Sequence, residues 1–329
     1  MRRRGFITLV GGAAIGLPLV ARAQPAALPV VGFLSGRSLS SDAHLVQVFR
    51  NGLKEAGYVE GRDIAIEFRW AEGKSERLPA FAAELAANAR VAVIFAGAID
   101  TRVREIKASL AALPVVFAVG GDPVLLGVAA SLPRPGGNAT GMTIMSAALW
   151  PKRLALLREL IGQANLVAVL IDPANQTAAA ATKDIEAAAK DIGQAIVLVN
   201  AKSETEFDAA FATIAQERAG ALLVPDDPVF INSRKRLIEL AASRSLPVLY
   251  GRDEFPKDGG LASYGASPDE QYFQCGQYVG RILAGTKPAE LPFMTPSKFE
   301  LVINLKTAKA IGIKVPQTLL VAADRVIEQ

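Results

Sequence analysis

The chain has 329 residues, of which 51% are hydrophobic, 6% aromatic and 21% charged. This length and apolar content suffice for two medium-sized domains with full cores. The formal net charge of +4 equals the four arginines of the first 23 residues, which contain no Asp or Glu. The rest of the chain is neutral, which argues against a nucleic-acid or acidic-membrane partner, because either needs a concentrated basic surface.

The first 23 residues have the three-part pattern of a secretory signal. A basic start precedes an apolar segment from Phe6 to Val20, and Ala21–Arg22–Ala23 forms an A-x-A cleavage site. The arginines before Gly5–Phe6–Ile7 also resemble a twin-arginine export signal. We predict cleavage after Ala23 and a periplasmic protein. An uncleaved anchor is disfavoured, because the apolar segment is short for a membrane span.

From residue 28 to residue 143, apolar strands alternate with helical segments. VVGFLS, VAVIFAG and PVVFAV are typical of strands buried on both faces, whereas EGRDIAIEFRW alternates as a half-exposed strand does. After the strand PVVFAV, Asp122–Pro123 predicts the cap and first residue of a helix. This order of elements indicates a doubly wound parallel sheet.

The alternation restarts at Trp150 and predicts a second doubly wound sheet. The last third does not simply extend that sheet, so we expect the chain to cross between two lobes more than once. The predicted first lobe is residues 28–143 plus about 266–294. The predicted second lobe is residues 144–265 plus about 295–329, and Gly141 to Ser146 is expected to form the first hinge.

Polar residues recur where these strands end, and ligands of open α/β sheets bind at such ends. An aspartate precedes proline at three of them, which is also an ordinary helix start. We expect Asp227 or Asp172 to bind a ligand cation and the helix starts near Asp100 and Asp122 to bind an anion. The candidate ligand-binding residues are Ser35, Arg37, Ala98, Asp100, Thr101, Gly121, Asp122, Ser146, Asp172, Asn175, Asp226, Asp227 and Tyr264.

Other conspicuous residues are interpreted as structural. Arg252–Asp253–Glu254 is typical of an exposed charge run. Trp70 and Trp150 are expected to pack rather than to stack on a ligand. The single cysteine, Cys275, lies in an apolar pattern of helical spacing and is predicted to be buried.

Signatures of catalysis are missing from the sequence. It has no G-x-S-x-G elbow and no Walker-type loop, and its single histidine, His44, stands beside a predicted helix start. With a single cysteine, the chain cannot form an intramolecular disulfide, and one Cys and one His argue against a zinc site. We predict a protein that is not an enzyme and needs no cofactor or metal, with a secreted α/β enzyme as the less favoured alternative.

Four long segments, in this order, resemble the bacterial ABC-transporter substrate-binding protein family: residues 49–73, 114–141, 259–265 and 299–328. The resemblance runs from about Val30 to the C-terminus. It implies the type I periplasmic-binding fold, with two α/β lobes joined by three crossings and a ligand held between them. It implicates the segments 96–101, 121–123, 145–146, 172–175 and 225–227.

The resemblance also implies a function. The protein would bind a small polar ligand, such as an amino acid or a related metabolite, by hinge closure and deliver it to a permease and ATPase in the inner membrane. We expect a monomer. A periplasmic sensor that presents the ligand to a membrane receptor is the alternative.

Overall fold

The structure is a computed structural model that describes residues 27–162 and 164–328. The predicted signal peptide, residues 1–23, lies outside the described residues. Within them, no helix combines the length and the apolar character that a membrane crossing needs.

The first sheet has five strands, all parallel to their neighbours. They are β1 Val30–Ser35, β2 Ala65–Trp70, β3 Val91–Gly97, β4 Val115–Val119 and β5 Ala139–Thr143. Their spatial order is β2-β1-β3-β4-β5. Every residue of β4 and β5 is buried, as expected for a parallel sheet covered on both faces.

The second sheet has seven strands. They are β6 Val167–Ile171, β7 Ile196–Asn200, β8 Ala221–Val224, β9 Val248–Tyr250, β10 Ala262–Ala266, β11 Phe299–Asn304 and β12 Arg325–Ile327. The order β7-β6-β8-β9-β10 repeats the winding of the first sheet, and β11 then joins β10 in the antiparallel direction.

Helices cover both sheets. They are α1 Leu39–Glu55, α2 Leu78–Ala87, α3 Val103–Ser109, α4 Trp150–Ile161, α5 Ala178–Asp191, α6 Phe207–Gln216, α7 Pro228–Asn232, α8 Arg234–Ser243, α9 Glu254–Lys257, α10 Pro268–Leu283, α11 Leu305–Ala310 and α12 Gln317–Ala322. Four clusters of buried apolar side chains result, one on each face of each sheet. Cys275 on α10 is a buried free thiol, as predicted.

The chain passes between the two sheets three times. It leaves the first sheet after β5 and returns after β10, because α10 packs against α1 and beneath β3 and β4. Before the third passage, Met294 bridges to Met142 of β5, and its amide N–H donates to the carbonyl oxygen of Gly141 over 2.9 Å. We call the first sheet with its helices lobe 1 and the second sheet with its helices lobe 2. The predicted α/β class and two-lobed arrangement are confirmed.

One local prediction is wrong, because no helix begins at Asp122, between β4 and β5. Residues 123–127 form successive turns. The amide N–H of Leu126 donates to the carbonyl oxygen of Asp122, and that of Val128 donates to the carbonyl oxygen of Pro123. Gly127 has a φ of 73°, in the left-handed region that glycine adopts readily, so the helical turn is not continued. Asp122 does act as a local cap, since its Oδ1 accepts from the amide N–H of Val124 over 2.8 Å.

Candidate functional site

The strand ends of the two lobes face one another across a cavity of about 490 Å³. Its volume lies within the ~300–1,000 Å³ common for small-molecule sites. Residues that follow β3 and β4 in lobe 1 and β6 and β8 in lobe 2 line it: Asp100, Gly120, Gly121, Asp122, Asp172, Pro225, Asp226 and Asp227. The cavity therefore occupies the place where the carboxyl ends of two parallel sheets meet.

Asp100 is the buried carboxylate that lobe 1 contributes. Its Oδ1 accepts hydrogen bonds from the amide N–H groups of Gly120 and Gly121, over 2.8 and 3.0 Å. Burial raises the pKa of Asp100 to about 6, against the lowering effect of these two N–H groups. No helix begins at Asp100, since α3 begins only at Val103, and the Asp100 carboxylate occupies the two backbone N–H donors that precede Asp122.

Lobe 2 contributes two linked carboxylates, Asp172 and Asp227. Asp227 begins α7 and accepts from the amide N–H of Val229, and its Oδ2 accepts from the side-chain amide of Asn175, each over 2.8 Å. The Oδ1 of Asp172 accepts from the amide N–H of Ala174 over 2.9 Å, whereas its buried Oδ2 has no hydrogen-bond partner. Burial, and next the Asp172 charge, raises the pKa of Asp227 to about 7.

A buried cation lies behind the hydroxyl of Ser146. Ser146 lines the cavity, and its Oγ accepts from Nη1 of Arg153 over 3.3 Å. The other guanidinium nitrogens of Arg153 donate to the carbonyl oxygens of Tyr264, over 2.9 Å, and Gly251, over 3.4 Å. Burial lowers the pKa of Arg153 to about 10. The Ser146 hydroxyl hydrogen remains available to an acceptor in the cavity.

A second set of charges crosses between the lobes, and we call it the interlobe charge network. Arg37 of lobe 1 lies 2.7 Å from Asp42, and two of its nitrogens lie 3.3 Å from Oε1 of Glu254 in lobe 2. Glu254 pairs with Arg252 over 3.3 Å, and Arg252 with Asp226 over 3.5 Å. Burial by itself would raise the pKa of Glu254, but the two arginines hold it well below its usual range.

This network corrects one interpretation of the sequence. Arg252 is 4% exposed, so it does not belong to a solvated charge run. The three residues 252–254 follow β9, and each has a partner of opposite charge. Only the partner of Glu254, Arg37, comes from lobe 1, whereas Arg252 pairs with Asp226 and Glu254, and Asp253 with Lys257, within lobe 2.

Eight of the thirteen candidate residues line the cavity: Asp100, Gly121, Asp122, Ser146, Asp172, Asn175, Asp226 and Asp227. The other five lie elsewhere. Arg37 belongs to the interlobe charge network, and the Ser35 hydroxyl donates to Asp42 over 3.4 Å. Ala98 borders a separate space of about 30 Å³ beside Arg37, Thr101 is buried in the turn before α3, and the Tyr264 ring packs on Phe299.

Several cavity residues escaped the sequence interpretation. Trp150, assigned to packing, lines the cavity as well as packing in the core. Thr177, Asp184 and Asp191 also line it. Their seven-residue spacing at and along α5 places them on one helix face, which is the signal that could have found them.

The two lobes touch beside the cavity. A Cβ atom on Gly121 of lobe 1 would lie 2.6 Å from Cγ2 of Thr177 in lobe 2, so only a glycine fits there while the lobes stay this close. Farther out, the side-chain amide of Asn232 in lobe 2 donates to the carbonyl oxygen of Gly36 in lobe 1 over 3.4 Å.

The two-lobed part of the chain matches one protein family along its whole length. The family described as ABC transporter substrate binding protein matches residues 28–327. The chain belongs to this family. As a substrate-binding protein it is a solute binder and not an enzyme, in agreement with the sequence interpretation.

Relatives of this substrate-binding protein include the tyrosine-binding protein of Clostridioides difficile (strain R20291). It is 22% identical over 266 residues, which cover 81% of this chain and 76% of the relative. A Streptococcus pneumoniae ABC domain in complex with L-Trp is 24% identical, with a TM-score of 0.83 over 92% of this chain and 100% of that one. A ligand-free, open substrate-binding protein from Clostridium difficile is 19% identical, with a TM-score of 0.66 over 92% and 100%.

Metal ligation has no support in the described ranges 27–162 and 164–328. No group of three or more His, Cys, Asp or Glu side chains there is arranged to hold a metal ion.

Proposed function

We propose that this substrate-binding protein captures an amino acid, or a closely related amine, between its lobes by hinge closure. The observation that carries the proposal is the set of carboxylates that we call the inner carboxylates: Asp100 of lobe 1 and Asp172, Asp226 and Asp227 of lobe 2, all lining one cavity. A ligand ammonium group placed among them contacts both lobes, so binding favours the state in which the lobes are together.

The positive charge of the ammonium group also stabilises the ionised form of the buried carboxylates. Asp100 and Asp227 have pKa values raised to about 6 and about 7, so each carboxylate ionises at a cost while the cavity holds no cation. A cation within a few ångströms favours the ionised form and lowers both pKa values. Binding therefore releases protons near neutral pH.

The α-carboxylate of an amino acid has a separate place near Ser146. The Ser146 hydroxyl donates one hydrogen bond, and the buried Arg153 guanidinium behind it adds a favourable charge. The names of two relatives, a tyrosine-binding protein and a domain in complex with L-Trp, support an α-amino acid as the ligand class.

The test is a ligand screen on protein purified from the periplasm of cells that express the full chain. Thermal shift against the L-amino acids and their decarboxylated amines should reveal a ligand, which at 100 times its Kd adds about 2.7 kcal/mol to the free energy of unfolding. A screen in which no amino acid and no amine shifts the melting temperature contradicts the proposal.

Two charge-removing variants sharpen the test. Asp100→Asn and Asp172→Asn keep the Oδ1 acceptor that each native side chain uses, so the local hydrogen bonds persist. Each should weaken binding about 10- to 100-fold, since a hydrogen bond to a charged group contributes ~1.5–3 kcal/mol. Glu186→Gln removes an exposed charge of α5 outside the cavity lining and is the matched control.

We further propose that the protein works in the periplasm, after cleavage behind Ala23, and delivers its ligand to an ABC permease and ATPase. Deleting the gene should abolish uptake of the ligand that the screen identifies. Unchanged uptake, together with a lost transcriptional response to the ligand, would instead identify a sensor.

A further inference from the structure

The cavity wall has an unusual charge composition. Among the described residues that line it, seven are aspartates and none is Lys, Arg or His. The aspartates are Asp100, Asp122, Asp172, Asp184, Asp191, Asp226 and Asp227. One ligand ammonium group offsets a single charge, so the wall can accommodate more positive charge than a neutral amino acid brings.

Most of the inner carboxylates have no cationic partner within residues 27–162 and 164–328. Asp226 pairs with Arg252 over 3.5 Å. Asp100, Asp172 and Asp227 instead accept hydrogen bonds from neutral amide N–H groups, and the buried Oδ2 of Asp172 has no partner at all. Asp172 is 3% exposed, so this unpaired oxygen has no bulk water to solvate it.

The remaining part of the cavity extends outward along α5, and we call it the outer arm. Its wall is apolar and made of small side chains on one face of the helix, with Trp150 and Pro151 of α4 also lining the cavity. The alanines of α5 that line it are Ala178, Ala180, Ala181, Ala187 and Ala188. The outer arm therefore fits an extended aliphatic chain.

The outer arm carries carboxylates as well. Asp184 lies six residues into α5, ~9 Å along the helix from its first residue, and Asp191 lies ~10.5 Å farther on, at 1.5 Å of rise per residue. Asp184 and the inner carboxylates line the same cavity, so a ligand anchored at the inner carboxylates can extend along α5 and place a second cation near Asp184.

We propose that the ligand carries two cationic groups joined by an apolar chain, with one at the inner carboxylates and the other beside Asp184 in the outer arm. This inference rests on the proposed function and narrows its substrate class. Basic amino acids and linear diamines share this chemistry. Neutral aromatic amino acids fit the apolar wall but bring no cation to Asp184 and Asp191 of the outer arm. This chain is therefore expected to differ in specificity from the relatives described above.

The test compares ligands that differ in charge but hardly in shape. Isothermal titration calorimetry should give L-arginine at least a fivefold higher affinity than L-citrulline, its nearly isosteric neutral analogue, and L-lysine a similar advantage over L-norleucine. The advantage should shrink as NaCl is raised from 20 to 300 mM, since exposed carboxylates are screened by salt. Equal affinities for the charged and neutral members of both pairs overturn the inference.

A matched pair of variants on α5 locates the second cation. Asp184→Asn should lower the arginine-to-citrulline affinity ratio by up to about fivefold and leave the citrulline affinity unchanged, because exposed ion pairs contribute ~0.2–1 kcal/mol. Glu186→Gln, two residues away and outside the cavity lining, should change neither. An unaltered ratio in Asp184→Asn overturns the placement in the outer arm.

A third variant distinguishes amino acids from diamines. Ser146→Ala removes the hydroxyl proposed to bind the α-carboxylate. If the ligand is an amino acid, this variant should lower the affinity for L-lysine severalfold and leave the affinity for cadaverine unchanged. Tighter binding of cadaverine than of lysine to the native protein identifies a diamine.

The inference and the proposed function fail in different ways. Tighter binding of L-tyrosine or L-tryptophan than of L-arginine, L-lysine and cadaverine overturns this inference and leaves the proposed function standing. A protein that binds no amino acid and no amine overturns both.

Discussion

Two charged regions lie side by side at the lobe interface, and their charges are arranged in opposite ways. In the interlobe charge network, signs alternate along Asp42, Arg37, Glu254, Arg252 and Asp226, so each charge has an opposite neighbour. In the cavity, aspartates from both lobes meet, and among the residues that the structure describes only Asp226 of these has a cationic partner. In the network each charge has a partner of the opposite sign, and the Arg37–Glu254 pair links the lobes, whereas the excess of one sign in the cavity calls for a ligand of the other.

The pKa shifts of Glu254 in the network and Asp227 in the cavity show the same contrast. Burial acts on both regions, but in the network the arginines hold the pKa of Glu254 well below its usual range. In the cavity, where such partners are missing, the pKa of Asp227 rises to about 7. Burial therefore raises the pKa of Asp227, and it also outweighs Arg37 at Asp42, whereas at Glu254 the two arginines together outweigh burial.

The largest expected effect comes from breaking the network at Arg37. Arg37→Met leaves Asp42, which is fully buried, without its cationic partner. Removing one member of a buried pair costs ~3–5 kcal/mol, and we expect a loss of that size in the free energy of unfolding, measured by urea denaturation.

The control for this prediction is Arg62→Met. Arg62 pairs with Asp63, but 68% of its side chain is exposed, so its loss should leave the free energy of unfolding close to that of the native protein. Similar losses for the two variants would contradict the distinction between buried and exposed pairs. Arg37→Met combined with Asp42→Asn should recover part of the stability, because the uncompensated charge is then removed.

A second prediction concerns the contact between the lobes beside the cavity. Gly121→Ala places a Cβ atom 2.6 Å from Cγ2 of Thr177 across the interface, so the lobes cannot approach as closely. We expect about a tenfold loss of ligand affinity, equivalent to ~1.4 kcal/mol, measured by calorimetry.

Thr177→Ser in the same chain removes that methyl group and should restore most of the affinity. Gly120→Ala is the control, because its Cβ atom would come no closer than 3.5 Å to the nearest heavy atom, Oδ1 of Asp100. A loss in Gly121→Ala that Thr177→Ser does not rescue would mean that the added methyl obstructs the ligand itself.

The smallest expected effect is the change that Asp172→Asn makes in the pH dependence of stability. Asp227 has a pKa of about 7 in the folded protein, above the ordinary 3.8, so the folded state binds more protons than the unfolded state between these values. The contribution of Asp227 to the free energy of unfolding therefore falls as the pH rises from about 4 to about 7. Asp172→Asn removes a neighbouring negative charge and should make that fall smaller, by ~1.4 kcal/mol for each unit by which the pKa drops.

Urea denaturation of the unliganded protein at pH 4.5 and pH 8 measures this difference. Asp172→Asn should lose less stability between the two pH values than the native protein, whereas Glu186→Gln should behave like the native protein. Identical behaviour of all three proteins would show that the Asp172 charge does not act on Asp227.

Much of the site was predictable because strand ends are visible in a sequence. The Asp-Pro pairs at 172–173 and 227–228 follow apolar strands, and parallel strands bring their carboxyl ends to one edge of a sheet. The same rule also selected Arg37 and Tyr264, which lie near strand ends outside the cavity. The position of a residue near a strand end does not predict which side chain of the other lobe it will contact.

Other features depended on contacts between distant segments. The helix predicted after Asp122 gives way to turns that stop at Gly127. The carboxylate of Asp100 crosses to the amide groups of Gly120 and Gly121 instead of capping α3. Arg252 has the sequence context of a surface charge and becomes buried only because Glu254 and the opposite lobe surround it.

The sequence by itself determined the alternation of strands and helices, the two-lobed α/β fold and the acidic strand ends, because all of these follow from local apolar periodicity and capping chemistry. The tertiary structure alone decided which charges are neutralised. Arg37 and Glu254 are 217 residues apart, and Asp100 and Asp227 belong to different sheets. The attraction in one pair and the repulsion in the other depend on distances that exist only once the two lobes face each other.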